Sequence, residues 1–495
     1  MPSYYITSTN KRKIRPLAIA AFAVVALLAA GCKKYLEQVP DSTWTDLSTP
    51  AKVSKLLGTA YPQSSYIAMC EAMTDNVGDK GVGIYDRPNQ DAYLFRDIQS
   101  IEQDSPESYW TACYTAIAAA NQALQACNNA VDKAAYQHQK GEALVARAYA
   151  HFMLVNIFAK VYDAGTAATD AGIPYVTEPE TVVMKQYDRK TVAYVYDMVE
   201  KDLLEGLPLI SDEAYSVPRY HFNRSAAYVF ATRFYLYKKD YAKVVAYANQ
   251  TFANNDIATN MRQWNSTYSS LSPAQIYDLY ANAKENANLL IVETPSLWGR
   301  NVGRYRYDLD YAHQVQILRY NVTGGDWVYP VYYFGSQDYF VPKLTEYFVK
   351  SSVNATIGQP YVMVPLLTTE EVLFNRAEAN AYLNKTSAAL KDLNLFASKR
   401  IRNYDASLHG ITLSTIQNFY GISDARTGLI HTILDFKRAE YVQEGMRWFD
   451  MQRYKMPVVH HTREGQILEL KADDNRRVFQ IPESATTSGI TLNPR

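Results

Sequence analysis

Two helix-forming stretches, residues 225–237 and 241–252, are separated only by Lys238, Lys239 and Asp240. A connection that short forces the helices to fold back antiparallel against each other. The pattern recurs where 370–383 and 388–400 flank a similar polar turn. One register aligns Tyr235 with Tyr382, Leu236 with Leu383, Lys238 with Lys385 and Ala242 with Ala389. Alanine near the start of the second helix is expected to let the backbones approach closely, as in tetratricopeptide-like units. A lone pair cannot bury its own apolar face, so several must pack together. Helical periodicity also predicts helices near 49–61, 106–131, 137–160, 188–205, 223–237, 240–253, 367–383, 386–402 and 430–454. The chain therefore reads as mostly α. Its 495 residues allow one large fold or two to four units.

The N-terminus has a different purpose. Lys11, Arg12, Lys13 and Arg15 precede an unbroken apolar run at 17–30. Such a run is a secretory signal, and it rises only about 21 Å as helix, short of the roughly 30 Å of hydrocarbon in a bilayer. Ala29, Ala30 and Gly31 then lead into Cys32, which resembles a lipoprotein cleavage box with Leu28 four residues before the cysteine. Residues 1–31 are expected to be removed and Cys32 to carry the lipid, anchoring the protein to a membrane without spanning it. The whole chain has 50 basic and 50 acidic residues; losing the four basic residues of the leader leaves the mature protein at −4. With that balance and no basic stripe, no nucleic-acid partner is expected.

Cys70, Cys113 and Cys127 remain, with no CxxC and no histidine at ligand spacing. They read as small buried thiols on helices, and neither a metal nor another cofactor is expected. The ladder Glu440, Glu444, Arg447, Asp450 and Arg453, and the pair Arg376 with Glu378, read as ion pairs tying helices together rather than as acid/base machinery. Of the adjacent carboxylates that a glycosidase would need, Glu370 and Glu371 diverge on a helix. The loop pairs Asp308 with Asp310 and Asp473 with Asp474 are expected to be solvated. His460 and His461 lack an HExxH-type partner and read as exposed or capping residues. No enzyme is expected.

Two long stretches interrupt the helices, a Gly-containing, mainly polar one at 74–105 and one of loop and short-strand material at 254–366. Structureless length of that kind inside a compact domain is usually functional. Fourteen aromatic residues lie within 298–348, about twice the density of the whole chain, which is 13% aromatic. A sugar ring has apolar C–H faces and a polar rim, so a neutral-glycan site needs flat aromatic surfaces flanked by Asn, Asp and Arg. Trp298, Tyr305, Trp327, Tyr329, Tyr332 and Tyr333 are the expected platforms, with Arg300 beside them. Tyr85, Asp86, Arg87, Asn89 and Tyr93 are expected to contribute from the earlier loop.

The C-terminal half carries the specific motifs. Leu373, Phe374, Asn375, Arg376, Ala377, Glu378 and Ala379 run into Tyr382, Leu383 and Asn384. Phe436, Lys437, Arg438, Ala439 and Glu440 continue to Glu444, Gly445, Met446, Arg447, Trp448, Phe449 and Asp450. Phe479, Gln480, Ile481 and Pro482 precede Leu492, Asn493 and Pro494. Together with Cys32, Lys33, Lys34, Tyr35 and Leu36, and with Trp110, Tyr114, Ile117, Ala120 and Asn121, this order resembles the SusD/RagB family of outer-membrane nutrient-binding lipoproteins. The resemblance implies a single domain over 32–495 with four tetratricopeptide-like helix pairs and long ligand-binding loops, exposed on the cell surface. It implies a SusC-like TonB-dependent transporter as partner, and an oligosaccharide, or a peptide in RagB-type members, as ligand. A helical-repeat adaptor for the transporter with no ligand of its own is the remaining alternative.

Overall fold

The computed structural model describes residues 47–182, 185–335 and 337–495. Cys32 and the leader lie outside the described residues. Helices α1 (Pro50–Leu57), α2 (Ile67–Ala72) and α3 (Arg87–Tyr93) precede the two longest, α4 (Pro106–Asn129) and α5 (Gln137–Phe158), and then α6 (Val192–Gly206). The hairpin α7 (Arg224–Lys238) and α8 (Tyr241–Ala248) follows. Three short helices, α9 (Pro273–Tyr280), α10 (Trp298–Asn301) and α11 (Tyr311–Leu318), separate it from the second hairpin, α12 (Thr369–Tyr382) and α13 (Thr386–Arg400). Helices α14 (Ala406–His409), α15 (Leu413–Tyr420), α16 (Ala425–Glu440) and α17 (Met446–Arg453) complete the frame.

Local chemistry sets the boundaries. Ser105 accepts from the Ser108 amide at 3.2 Å and Pro106 occupies the first turn, so α4 starts there. Asn223, Asp240 and Asp424 cap α7, α8 and α16 in the same way. Helix α5 is buried on nearly all sides, as a central helix must be, with α4 and α6 packed against it. The two hairpins are neighbours in space despite the 120-odd residues between their helices. Helix α8 packs on α12, and the Tyr241 ring stacks on Tyr382 at 4.2 Å and 3°. Ala389 is buried as the repeat predicts, but Ala242 is exposed, because α8 turns Val244 and Ala248 inward instead.

The insertion between the hairpins contains the short strands its sequence suggests, with three short helices besides. Strand β7 (Gly358–Thr368) is antiparallel to β2 (Asn288–Pro295) on one side and β6 (Glu346–Lys350) on the other. Three two-stranded ladders complete the strands: β1 (Gly78–Asp79) with β3 (Tyr307–Asp308), β4 (Tyr332–Phe334) with β5 (Asp338–Phe340), and β8 (Val458–His461) with β9 (Ile467–Leu470).

The expected continuous helix over 430–454 is broken. Gln443 has φ 64° and Gly445 φ 73°, and a Cβ on Gly445 would stand 3.0 Å from the Ile67 Cα. The buried Glu71 carboxylate accepts from the freed amides of Gln443 at 3.0 Å and Gly445 at 2.8 Å. The ladder charges lie on both sides of that break and do serve as ties. Arg400 reaches Glu440 at 2.6 Å and Glu370 at 2.9 Å, and Glu370 also receives Arg262 at 3.0 Å, all with side chains essentially sealed from solvent. Lys343 pairs with Glu444 at 2.7 Å, Arg453 with Glu378 at 2.7 Å, and Arg447 with Asp75 at 2.9 Å. Burial pushes the Glu440 carboxyl up, but Arg400, Lys343 and the Tyr329 hydroxyl outweigh it and hold the group at about 2.

Three sequence expectations change. His460 is buried, not exposed: its ring stacks on Tyr93 at 4.1 Å, and Nδ1 and Nε2 reach the carbonyls of Tyr93 and Thr74 at 2.7 and 2.8 Å. Asp308 is buried as well, hydrogen-bonded to the Leu309 and Gly303 amides at 2.7 and 2.8 Å, while its neighbour Asp310 caps α11. Asp474 is turned to the Arg476 amide and guanidinium. Cys70, Cys113 and Cys127 are free thiols inside helices, as expected.

Arg400→Met leaves Glu370 and Glu440 facing each other in the core with a partner missing. Urea unfolding is expected to show a loss of about 3–5 kcal/mol, and a loss below about 1 kcal/mol contradicts the role assigned to this network.

Candidate functional site

The two irregular stretches meet. Ladder β1–β3 pairs Gly78 with Asp308 and Asp79 with Tyr307, and farther along the Ile84 amide donates to the Arg304 carbonyl at 2.7 Å while the Arg306 amide donates to Ile84 at 3.1 Å. Gly83 makes the approach possible: it has φ +127°, and a Cβ there would lie 2.7 Å from the Arg304 carbonyl oxygen. Asp79 grips the Arg306 guanidinium with both oxygens at 2.8 Å. Lys80, buried, donates to the Gly303 carbonyl and to Asp338 of the β4–β5 hairpin, both at 2.6 Å. One lysine thus joins the early loop, the late loop and the hairpin.

The structure sorts the expected site residues into two groups by burial. Trp298, Tyr305, Trp327 and Tyr329 are 2%, 1%, 6% and 6% exposed and belong to the core, so they are not available as stacking platforms. Each is held by the frame or by another ring. Trp298 donates from Nε1 to the Gln443 carbonyl at 3.1 Å and stacks on Tyr305 at 5.7 Å, Tyr329 donates to Glu440, and Trp327 packs edge-on against Phe436 at 5.3 Å. Tyr93 and Asn89 are buried too: Tyr93 stacks on Tyr307 at 4.4 Å and Asn89 donates to the Tyr307 carbonyl at 2.8 Å. Asp86 is the half-buried N-cap of α3, accepting from the Asn89 amide at 3.0 Å, and Arg300, though exposed, is paired with Glu346 at 2.7 Å. These residues build the mount.

Tyr85 and Tyr333 remain outside, 65% and 66% exposed, with Tyr332 half-buried and the Arg87 side chain largely in solvent. The β4–β5 hairpin carries aromatic rings on both faces. On one, Tyr333 and Tyr311 flank Tyr339 at 6.0 and 5.9 Å; on the other, Phe334 stacks on Phe340 at 4.9 Å and carries the Arg304 guanidinium 4.7 Å above its ring. Phe334 and Tyr311 were not among the expected residues. The signal for Phe334 was the turn between the aromatic run Tyr332, Tyr333 and Phe334 and the pair Tyr339 and Phe340, where alternation decides which rings face outward. Ile84 and Val82 add exposed apolar surface beside Tyr85.

Gln443, which carried no motif signal, organises the underside. Its Nε2 donates to Asp308 at 3.2 Å and to the Tyr339 carbonyl at 3.1 Å, and its Oε1 accepts from the Val341 amide at 3.1 Å. Three buried carboxyls complete the mount. Burial pushes Glu71 and Asp104 up to about 7 and Asp308 to about 6, partly offset by the groups they bind. Asp104 accepts from the Ser296 hydroxyl at 2.6 Å and the Leu297 amide at 2.7 Å, just before α10.

Clefts of about 410 and 640 Å³ lie elsewhere, along α4, the first lined by Trp110, Tyr114, Tyr187 and Glu178 and the second by Arg147, Lys140 and Glu205. The described residues contain no cluster of His, Cys, Asp and Glu able to hold a metal ion and no helix long and apolar enough to cross a membrane.

Comparison with known proteins gives one family. A model described as starch-binding and associating with the outer membrane matches residues 34–236, and the SusD family model matches residues 339–489. Most of the insertion that carries the loop face falls between the two matches. Among solved structures, a SusD superfamily protein from Bacteroides thetaiotaomicron VPI-5482 aligns with TM-score 0.68 at 18% identity, covering 90% of this chain and 100% of its own. A SusD superfamily protein from Bacteroides vulgatus ATCC 8482 gives 0.65 at 20% identity, with coverage of 90% and 99%. A SusD-like carbohydrate binding protein from the same strain gives 0.63 at 16%, with 89% and 97%. These three share the fold. No curated protein matches the sequence.

Two outcomes test this mount. Trp298→Ala is expected to cost about 3–5 kcal/mol in chemical unfolding, whereas Tyr333→Ala stays within about 0.5 kcal/mol. The three raised carboxyls stabilise the fold while protonated, so their contribution is complete below about pH 4 and is lost as pH rises through 6 to 7. Thermal unfolding is expected to weaken between about pH 5 and pH 8, and Asp104→Asn to flatten that slope; identical slopes contradict the assignment.

Proposed function

The chain belongs to the SusD/RagB superfamily, and from that premise we propose that it captures oligosaccharides at the outer membrane and passes them to a SusC-like TonB-dependent transporter. Members of this family bind without catalysing, and this chain is likewise not an enzyme. The single observation that supports the glycan reading best is the exposed aromatic hairpin. Tyr333, Tyr339 and Tyr311 on one face and Phe334 on the other offer flat apolar surface beside phenolic hydroxyls, which is what pyranose rings require. Tyr85 and Ile84 extend that surface from the early loop, to which the hairpin is tied through Lys80.

The anchoring follows from the same reading. Lipidation at Cys32 holds the protein on the outer surface with its loops free, and multiple acyl chains suffice without a spanning helix. Rigid mounting favours capture, since a surface ordered before the ligand arrives loses less entropy on binding. A second location has one observation in its favour: the cleft along α4 sets Trp110, Tyr114 and Tyr187 around a concavity of about 410 Å³. A peptide ligand, as in RagB-type members, would use the same aromatic surface.

Titration calorimetry of the mature protein against a panel of oligosaccharides and peptides checks the reading. A glycan is expected to bind, and Tyr333→Ala or Tyr85→Ala to weaken it about tenfold, the loss of one stacking contact worth about 1.4 kcal/mol. Binding confined to peptides, or unchanged in both variants, contradicts it. Co-purification from the native membrane is expected to bring down a TonB-dependent barrel in equal amount.

A further inference from the structure

Most of the charged groups on and around the loop face are already matched. Asp79 holds Arg306, which also reaches Glu464 at 2.8 Å; Asp338 holds Lys80 at 2.6 Å; Asp310 caps α11 and holds His313 at 2.7 Å; Glu346 holds Arg300 at 2.7 Å. Arg304 differs. Among the described residues its guanidinium has no carboxylate and no hydrogen-bond acceptor, and its one side-chain contact of note is the Phe334 ring, 4.7 Å below. Its backbone is fixed on both sides, donating to the Asn301 carbonyl at 2.8 Å and accepting from Ile84 at 2.7 Å, so the exposed side chain rises from a rigid base.

A guanidinium laid on an aromatic face keeps its five N–H donors in a plane with the edge free. That geometry matches the two oxygens of a carboxylate or a sulfate, and pairing there is shorter and stronger than between neutral groups. A neutral glycan would leave those donors to water. The mature chain is net negative, so an arginine with no carboxylate partner beside these exposed rings is a local exception to the charge of the whole. Arg87, two residues from Tyr85, adds a second exposed cation, held only loosely by Asp91 at 3.4 Å.

We propose that Arg304, laid on Phe334, selects acidic oligosaccharides, with the sugar's carboxylate or sulfate on the guanidinium and its ring on the neighbouring aromatic surface. This rests on the oligosaccharide-capture reading and names its substrate class. Arg304 acts by direct contact with the ligand, and Lys80 and Gly83 act as positioning residues for it.

Calorimetry on the mature protein uses four probes: an oligogalacturonate, its methyl-esterified neutral counterpart of equal length, a sulfated oligosaccharide, and an acidic peptide. One acidic glycan is expected to bind at least about tenfold tighter than the neutral one, with the advantage shrinking as salt rises. The uronate and sulfate arms identify which anion is recognised. Arg304→Gln, which touches no buried partner and is expected to leave the melting temperature unchanged, should erase the acidic advantage while neutral binding persists. Arg304→Lys should restore part of it. Equal affinity for acidic and neutral glycans, or a preference that survives Arg304→Gln, overturns the proposal. If neutral binding still falls in Tyr333→Ala in that case, oligosaccharide capture stands and only the acidic selection fails. Binding of the peptide alone overturns both.

Discussion

The backbone break at Gln443 is the constraint on which the display surface depends. A helix running through that position would bury its amides within itself and offer the loops nothing. Placing Gln443 at φ 64° and Gly445 at φ 73° turns two amides toward Glu71 and frees the Gln443 carbonyl for Trp298. The side-chain amide then bonds Asp308, Tyr339 and Val341 from beneath. Left-handed backbone in a non-glycine residue is costly, and here five hydrogen bonds over-determine it. The break turns the end of one frame helix into a socket for the insertion.

Around that socket the frame is stiffened by charge. Arg400, Glu370, Glu440 and Arg262 form a chain sealed from water, and Tyr329 and Lys343 bring the insertion into it at Glu440. Such pairs add little net stability over apolar packing, but they accept no other partner geometry. The frame's helices and the insertion are therefore locked in one arrangement. The exposed residues have no comparable ties. Tyr333 and Phe334 project from the β4–β5 ladder and Arg304 from backbone bonded to Asn301 and Ile84, so these side chains rise from ordered backbone.

Much of this was readable in the sequence, and what was not has a physical cause. The helices were legible because periodicity, caps and three-residue turns are local: the α7–α8 and α12–α13 hairpins fell where Lys238, Lys239 and Asp240 and their counterparts put them. The ion pairs of the ladder were legible because opposite charges at helical spacing beside aromatic residues rarely serve chemistry. The two aromatic-rich stretches were legible by composition, but which of their rings stay exposed was not. Trp298 and Tyr333 sit in equally aromatic surroundings in the sequence, yet one is sealed and the other is exposed, because strand alternation and the distant Gln443 carbonyl decide which ring turns inward. Gln443 itself sits amid a helical pattern and gives no local sign of breaking it. Most of the insertion lies between the two family matches, so the ring placement had to come from the fold.

Hydrogen–deuterium exchange of the mature protein with and without a saturating oligosaccharide tests the central claim most directly. A pre-formed aromatic surface mounted on a locked frame predicts added protection confined to residues 81–87, 304–311 and 332–340, with the helices of the frame unchanged. Protection along α4 beside Trp110 and Tyr114, with those three segments unaffected, would contradict it.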